Sequence, residues 1–313
     1  MTSVARGLRV VYVGARVVGR ECLEALLAAQ VDIVGLLYLD DALADSTVAH
    51  TSYAELVEAF NLNARAFRSL RDPALVDWLK ALHPDVGIVV GVSQLLDDQM
   101  LAVPRLGFVG MHPTLLPEGR GRAPIPWALI KGLRQTGVSL FWCEPGADTG
   151  PLLAQRAVPV YYEDTASILG ARTDRVAAEL LVHAMAELAR GEVMRIPQDE
   201  SYASSWPKRR PEDGLIDWSC SSRQLYDWVR ALTQPYPGAF TFAAGRKLLV
   251  WACRESHDLR RGGPGAVIDV LPHGVLVACG EGSLLLTRLQ WEGEAEEVAT
   301  EIGLSSADEL GDM

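Results

Sequence analysis

GFVGMHPTLLPEGRG, residues 107–121, constrains the backbone more than any other segment of the chain. It begins as a short apolar run and then carries prolines at 113 and 117 and glycines at 119 and 121. Proline fixes φ and removes a backbone donor, so neither a regular helix nor a central strand continues through these positions. We predict a short strand over residues 108–111 that feeds a shaped loop, and such loops carry function more often than packing.

The chain before this stretch alternates apolar runs of strand length with helical patterns. Residues 8–13, 31–39 and 85–90 read as buried parallel strands, and residues 20–30 as a helix between the first two. Another helix is predicted to start at Asp72-Pro73, with Asp at the cap and Pro in the first turn. The first turn, GARVVG, lacks the GxGxxG spacing of a dinucleotide site. The pattern predicts an α/β fold with an open, mostly parallel, Rossmann-like sheet.

The composition changes after residue 191, where a polar segment precedes a helix at 222–232 and five short strands broken by glycines. Short strands with regular turn signals predict a small, OB-like β-barrel. We therefore predict a catalytic domain over residues 1–200, a linker over 201–211 and a β-barrel domain over 212–313. The acidic last twenty residues are expected to be loosely held.

The bulk composition excludes several classes of function. A net charge of −11 argues against broad nucleic-acid binding, which needs clustered Lys and Arg. The five cysteines show no CxxC spacing and the histidines no ligand spacing, so we predict reduced cysteines and no metal site. No signal peptide is visible, and no apolar run reaches the ~18 residues of a membrane span. We expect a soluble, cytoplasmic protein without a membrane partner, and a homodimer stays open.

Two residues suggest acid–base chemistry. His112 lies between a strand end and a proline loop, and Asp148 lies in the turn GADTG at 146–150. Each alone has an ordinary explanation: a satisfied core histidine, or the turn preference of aspartate. Together they form a pair, because a carboxylate beside an imidazole holds its tautomer and stabilises its charged form. Such a pair suits the deprotonation of an amine while an oxyanion is stabilised.

Several spaced motifs, in this order, resemble the folate-dependent formyltransferases, which include methionyl-tRNA, glycinamide ribonucleotide and sugar N-formyltransferases. The motifs are HPTLLP at 112–117, RGRAPIPWALI at 120–130, TGV at 136–138, ADTG at 147–150, DGLIDW at 213–218 and PYPGAFTF at 235–242. The resemblance covers roughly residues 8–290. It implies a formyl-transfer enzyme that uses 10-formyltetrahydrofolate as its cofactor.

In that family an Asn, a His and an Asp act together. The resemblance carries the His onto His112 and the Asp onto Asp148, but the Asn falls on Gly110, which has no side-chain donor. Losing one oxyanion donor typically costs about 10²–10³ in rate. Three explanations are open: a replacement donor, a more reactive acceptor, or a relative that is no formyltransferase. Under the first explanation, the replacement donor is a water or one of the side chains Ser93, Gln94 and Ser139.

The resemblance also implies binding residues. The folate is expected at the carboxyl end of the strand over 85–90 and against the segment 142–148. The expected folate contacts are Val90, Gly91, Val92, Ser93, Gln94, Leu95, Trp142, Gly146 and Ala147. The expected contacts to the acceptor are Gly14, Pro113, Thr114, Leu115, Arg120 and Arg122.

The acceptor expected first is the primary amine of a small molecule, a nucleotide-linked amino sugar in a biosynthetic pathway. A hydroxyornithine-type amine of secondary metabolism and initiator methionyl-tRNA are the alternatives. The tRNA enzymes carry a basic insertion after the second strand, whereas residues 39–51 here hold Asp40, Asp41 and Asp45 and no Lys or Arg. Such a loop repels RNA. Two further alternatives are a formyltetrahydrofolate hydrolase and a catalytically impaired folate-binding relative.

Overall fold

The computed structural model describes residues 7–258, 260 and 262–311. The chain forms two compact units. The first comprises Met1–Pro124, Gln135–Pro159 and Ala171–Pro207, and the second Ile125–Arg134, Val160–Gly170 and Lys208–Met313. The break after Pro207 falls inside the predicted linker, and residues 201–207 belong with the first unit.

Helices and strands alternate through the first two thirds of the chain. In chain order they are β1 Arg9–Gly14, α1 Val17–Ala28, β2 Asp32–Leu39, α2 Ala54–Ala59, β3 Ala64–Phe67, α3 Pro73–Ala81, β4 Val86–Val90, α4 Asp98–Leu101, β5 Phe108–His112, β6 Arg120–Gly121, α5 Pro124–Ile130, β7 Gln135–Trp142, β8 Leu152–Pro159, α6 Ala166–Ala189 and β9 Ser205–Trp206. The remainder is α7 Ser222–Leu232, β10 Ala239–Ala243, β11 Arg246–Ser256, β12 Val267–Leu271, β13 Gly274–Ala278, β14 Ser283–Trp291, β15 Glu297–Val298 and β16 Leu310–Gly311. Four short 3₁₀ helices lie at Asp41–Ser46, Glu200–Tyr202, Pro211–Gly214 and Ala299–Glu301.

The sheet of the first unit has the strand order β3-β2-β1-β4-β5-β7-β8. The strands from β3 to β5 run parallel, and β7 and β8 continue the sheet antiparallel. This mixed, mostly parallel arrangement confirms the predicted α/β fold. Because β1, β4 and β5 are parallel, their carboxyl ends meet at one edge, where open α/β sheets bind ligands.

Local sequence signals explain where α3 and α7 begin. The Asp72 carboxylate accepts a hydrogen bond from the Ala74 amide at the start of α3, and Pro73 occupies the first turn, as predicted. Ser221 caps α7 and exchanges hydrogen bonds with Gln224 three residues later, which is a capping box. Each helix then buries an apolar face, so packing adds to the caps.

The second unit is built on an antiparallel sheet with the strand order β12-β13-β14-β11-β10-β16, with β15 paired to β14. Its antiparallel, curled sheet confirms the predicted barrel-like C-terminal domain, as a half-barrel, and α7 confirms the predicted helix over 222–232. At the C-terminus, which was expected to be loosely held, many described residues are exposed, but Ala299, Ile302 and Leu310 are buried. Residue Leu310 is 2% exposed and pairs with β10, because its apolar side chain completes the core of this sheet.

Within the described residues, no helix is long and apolar enough to cross a bilayer. The same residues contain no group of three His, Cys, Asp or Glu side chains that could hold a metal ion.

Candidate functional site

His112 is the last residue of β5, so it lies at the carboxyl edge of the parallel strands. Its side chain is buried, and ring atom Nε2 lies 2.8 Å from the carbonyl oxygen of Gly119. A carbonyl only accepts hydrogen bonds, so Nε2 carries the proton and the neutral ring is the Nε2–H tautomer. The other nitrogen, Nδ1, is then left with its lone pair.

That lone pair faces Asp148, whose Oδ2 lies 3.6 Å from Nδ1. Asp148 has a φ of 60°, in the left-handed region, and its Oδ2 accepts a hydrogen bond of 2.9 Å from the Gly121 amide. The separation from Nδ1 exceeds that of a direct hydrogen bond. Two acceptors, Nδ1 and Oδ2, therefore face each other. The structure brings the two residues together as the sequence predicted.

The loop at 119–121 is fixed by the segment that follows α6. Arg120 donates to Gln198 Oε1 at 2.7 Å and to Glu200 Oε1 at 2.6 Å, and it is 8% exposed. β6 pairs in parallel with β9, and the Gly119 amide donates to the Ser204 hydroxyl. The predicted acceptor contact Arg120 is thus engaged inside the protein, because its guanidinium anchors this loop.

A cleft of about 560 Å³, including space open to solvent, lies at the carboxyl end of β4 and against β7. Asp148 and Gly110 line it. So do five of the predicted folate contacts, Gly91, Val92, Gln94, Leu95 and Gly146. Cys143 and Glu144, in the predicted segment 142–148, also line it, and the lining residues not predicted from the sequence are Val89, Leu96, Leu101, Met111 and Phe141.

The other predicted folate contacts, Val90, Ser93, Trp142 and Ala147, are not among the lining residues. Trp142 shows the reason. Its indole donates to the Met194 carbonyl oxygen and lies under the guanidinium of Arg195, on the opposite side of the strand from the cleft. Side chains alternate along a strand, so Phe141 and Cys143 face the cleft where Trp142 was expected. The alternation of side chains along Phe141-Trp142-Cys143 is the sequence signal that predicts this orientation.

Gly110 also lines the cleft, and its missing side chain leaves no empty space. A Cβ built there would lie 2.8 Å from the Phe141 ring and 3.0 Å from the Cys143 sulfur. Phe141 is the cross-strand partner of Gly110 in the β5–β7 pair. The ring and the thiol therefore occupy the volume that a side chain at position 110 needs.

The three side chains expected to replace the missing donor are engaged elsewhere. The Ser93 hydroxyl accepts from Arg16. Gln94 accepts from the Leu70 amide through Oε1 and donates to the Arg68 carbonyl through Nε2. Ser139 is fully buried and donates to the Thr114 carbonyl oxygen. Gln94 and Ser139 thus use their donors inside the protein, whereas Ser93 accepts a hydrogen bond and keeps its own hydroxyl proton to donate.

Cys143 remains a thiol rather than a thiolate. Burial, and to a lesser degree the Asp148 carboxylate, raise the pKa of the Cys143 thiol to about 12. The group is therefore protonated near neutral pH and is a poor nucleophile. It contributes shape and a weak S–H donor to the cleft.

Replacing Gly110 by Asn should destabilise the protein by about 1–3 kcal/mol, because the new side chain overpacks against Phe141 and Cys143. Urea unfolding measures this change. Adding Cys143→Ala should recover part of the loss. Gly263→Asn is the matched control, since nothing lies within 4 Å of a Cβ at that position. Equal stability of Gly110→Asn and the control would contradict the filled-volume account.

The remaining predicted acceptor contacts divide into buried and accessible groups. Gly14 is buried, and a Cβ there would meet the Tyr53 hydroxyl oxygen, so its backbone is covered. Thr114 is 2% exposed, whereas Pro113 and Leu115 are half-buried. Arg122 is exposed. The covered positions shape the loop, and Arg122 alone of these offers an accessible charge.

Two profiles of known families match this chain. The formyl transferase profile matches residues 10–185, and the formyl transferase C-terminal domain profile matches residues 208–304. The methionyl-tRNA formyltransferase of Geobacter sulfurreducens is 37% identical over 224 residues, which are 72% of this chain and 70% of that protein.

Solved structures share the fold at low sequence identity. WlaRD, a sugar 3N-formyl transferase solved with dTDP and 5-N-formyl-THF, gives a TM-score of 0.68 at 13% identity, over 92% of this chain and 99% of its own. HypX from Aquifex aeolicus, solved with tetrahydrofolic acid, gives a TM-score of 0.65 at 19% identity over 94% of this chain. The chain spans 46% of the length of HypX. These likenesses show a shared fold.

Proposed function

The chain belongs to the folate-dependent formyl transferase family, and we propose that it transfers a formyl group from 10-formyltetrahydrofolate to the primary amine of a nucleotide-linked amino sugar. The observation that carries the proposal is the His112–Asp148 pair, in which Nδ1 and Oδ2 lie 3.6 Å apart and the carboxylate lines the cleft. The pair thus provides a proton acceptor at the cleft.

The character of the cleft walls fits a folate. Val89, Val92, Leu95 and Leu96 supply apolar surface on one side, and Phe141 supplies an aromatic ring on the other. Such walls suit a flat heterocycle, and the backbone groups at the carboxyl end of β4 suit its polar edge. These residues would hold the pterin.

When bound, 10-formyltetrahydrofolate supplies the one-carbon unit that is transferred. The contribution of His112 and Asp148 is to handle the proton. The Gly119 carbonyl fixes the Nε2–H tautomer and so presents the Nδ1 lone pair towards Asp148. An amine that forms an amide loses a proton, and the pair would hold this proton as an imidazolium beside a carboxylate until the departing nitrogen of the folate takes it up.

The same geometry restricts how His112 assists a developing oxyanion. The Nε2 proton is already bonded to Gly119, so the ring donates to a substrate only through Nδ1, after protonation. Gly110 adds no side-chain donor. We infer that protonation of His112 Nδ1 creates the donor that stabilises the oxyanion, and that a water supplies an additional donor.

The charge distribution supports a small acceptor. Asp41, in the 3₁₀ helix after β2, is half exposed, and its Oδ1 lies 3.4 Å from His50 Nε2. Arg16, at the start of α1, and the exposed Arg122 offer local positive charge for a diphosphate. A compact diphosphate needs one or two such cations, whereas RNA needs a basic surface. The net charge of −11 does not provide one.

Initiator methionyl-tRNA is the second candidate acceptor. The named relative in Geobacter sulfurreducens, at 37% identity, is a methionyl-tRNA formyltransferase, and this observation favours it. The acidic 3₁₀ helix at Asp41–Ser46 argues against it.

An acceptor panel tests the proposal. We expect formyl transfer from 10-formyltetrahydrofolate to dTDP- or UDP-linked amino sugars at a higher kcat/KM than to hydroxyornithine or methionyl-tRNA. Mass spectrometry of the product measures transfer, and formate release without acceptor measures hydrolysis. His112→Ala is the blank. Transfer to methionyl-tRNA alone, or formate release alone, would overturn the amino-sugar proposal, and folate binding without turnover would overturn the enzymatic one.

A further inference from the structure

Gln198 lies between α6 and β9, outside every motif quoted above, yet it contacts the turn that carries Asp148. Its Nε2 donates to the carbonyl oxygen of Asp148 at 2.9 Å and to that of Gly150 at 2.7 Å. Asp148 adopts a left-handed φ, which a non-glycine residue keeps only when its surroundings hold it there. The Gln198 amide supplies two of the contacts that do so.

The oxygen of the same amide reaches the other loop of the site. Gln198 Oε1 accepts from Arg120 Nε at 3.1 Å and from Nη2 at 2.7 Å. The Arg120 guanidinium is buried and also binds Glu200. One side chain therefore bonds the backbone of the Asp148 turn and the side chain that anchors residues 119–121.

Arg120 stands between the two backbone groups that orient the pair. The Gly119 carbonyl fixes the His112 tautomer, and the Gly121 amide donates to Asp148 Oδ2. Displacing Arg120 therefore moves the partner of the imidazole and the partner of the carboxylate together. Displacing the carbonyl of Asp148 moves the carboxylate itself.

We propose that Gln198 is a positioning residue that sets the His112–Asp148 geometry by tying the 119–121 loop to the 148–150 turn. The proposal rests on the proposed function, because it assigns the pair the proton-accepting role. The side-chain amide of Gln198 is required because it donates and accepts at once. Its NH₂ donates to two carbonyls, and its oxygen accepts from a guanidinium. Glutamate retains only the acceptor half, and leucine retains neither.

The kinetic test compares Gln198→Leu with wild type, with Gln290→Leu as a matched control. Gln290 also accepts through Oε1, from Trp251, and donates through Nε2 to a backbone carbonyl, but it belongs to the antiparallel sheet of the second unit. We expect Gln198→Leu to lower kcat by about 10²-fold, the cost typical of a small misplacement of reacting groups. KM for the folate should be unchanged, and Gln290→Leu should keep the wild-type kcat.

A double-variant cycle separates positioning from general support of the fold. In an Asp148→Asn background the pair no longer functions, so adding Gln198→Leu should change kcat by less than about threefold. A full, additive loss in that background would overturn the proposal. Gln198→Glu, which keeps the volume and the Arg120 contact, should show a loss similar to that of Gln198→Leu. Wild-type kcat in the Glu variant would also overturn it.

A readout without an acceptor distinguishes this proposal from the proposed function. Side-chain ¹⁵N NMR of His112 in the folded wild-type protein should show the Nε2–H tautomer. In Gln198→Glu the signals should move towards a mixture of tautomers, while Gln290→Leu keeps the wild-type pattern. An unchanged His112 pattern in Gln198→Glu would contradict the positioning role, whichever amine the enzyme formylates.

Discussion

His112→Ala is expected to lower kcat for formyl transfer by about 10²–10⁴-fold, the usual contribution of a positioned acid–base group. His112 is buried and is not among the residues that line the cleft, so KM for the folate should change little. The loss arises because the variant has no Nδ1 to receive the proton of the amine. Steady-state kinetics at saturating folate measure it.

His183→Ala is the matched control for this variant. His183 lies on α6 with its side chain 64% exposed, beside Glu187. It should keep the wild-type kcat. Added imidazole should restore part of the activity of His112→Ala, because the vacated space lies beside the Asp148 carboxylate. An unimpaired kcat in His112→Ala would remove the imidazole from the mechanism.

Asp148→Asn is expected to lower kcat by a similar factor, about 10²–10⁴-fold. The amide oxygen of Asn still accepts from the Gly121 amide, so the turn keeps its hydrogen bond. The negative charge that stabilises an imidazolium is lost, and the proton of the amine is no longer shared. The variant thus removes the negative charge while it keeps the hydrogen bond of the turn. We expect kcat to fall and KM for the folate to stay unchanged.

Asp72→Asn is the control for Asp148→Asn. It makes the same chemical change at the cap of α3, where Asn caps about as well as Asp, and it should leave activity and stability near wild type. Because His112 and Asp148 act as a unit, the double variant should be little slower than either single one. Fully additive losses would show that the two groups serve separate steps.

The sequence predicted the parallel strands and the loop after β5 because these signals are local. Asp72-Pro73 identified the start of α3. The prolines and glycines of 107–121 predicted the end of β5 to within one residue, because the strand ends at His112 rather than at Met111. The pairing of His112 with Asp148 was predicted from the chemistry of the two side chains and from the resemblance in motif order. In the structure the two side chains lie 3.6 Å apart, from Nδ1 to Oδ2.

Contacts between distant residues could not be predicted from a single sequence. Arg120 meets partners 78 and 80 residues away, and Gln94 bonds a loop 24 to 26 residues away. Nothing local distinguishes these engaged side chains from free ones. The position of Trp142, by contrast, follows from a local signal. Side chains alternate along β7, so Trp142 points away from the cleft that Phe141 and Cys143 line.

Gly110, Phe141 and Cys143 are best understood as one packing unit. The ring and the thiol fill the volume beside the glycine, so no single substitution at position 110 installs a polar donor without strain. At position 110 the wall of the cleft is therefore formed by an aromatic ring and a thiol. Under the proposed function, proton handling and oxyanion stabilisation then depend on His112.

A crystal structure of the protein with 5-formyltetrahydrofolate, a folate that does not transfer its formyl group, tests the central claim most directly. We predict the pterin between the carboxyl end of β4 and Phe141, with the formyl-bearing end of the folate within one water of His112 Nδ1 and Asp148 Oδ2. A folate bound elsewhere, or a His112–Asp148 pair that points away from its one-carbon end, would contradict the account.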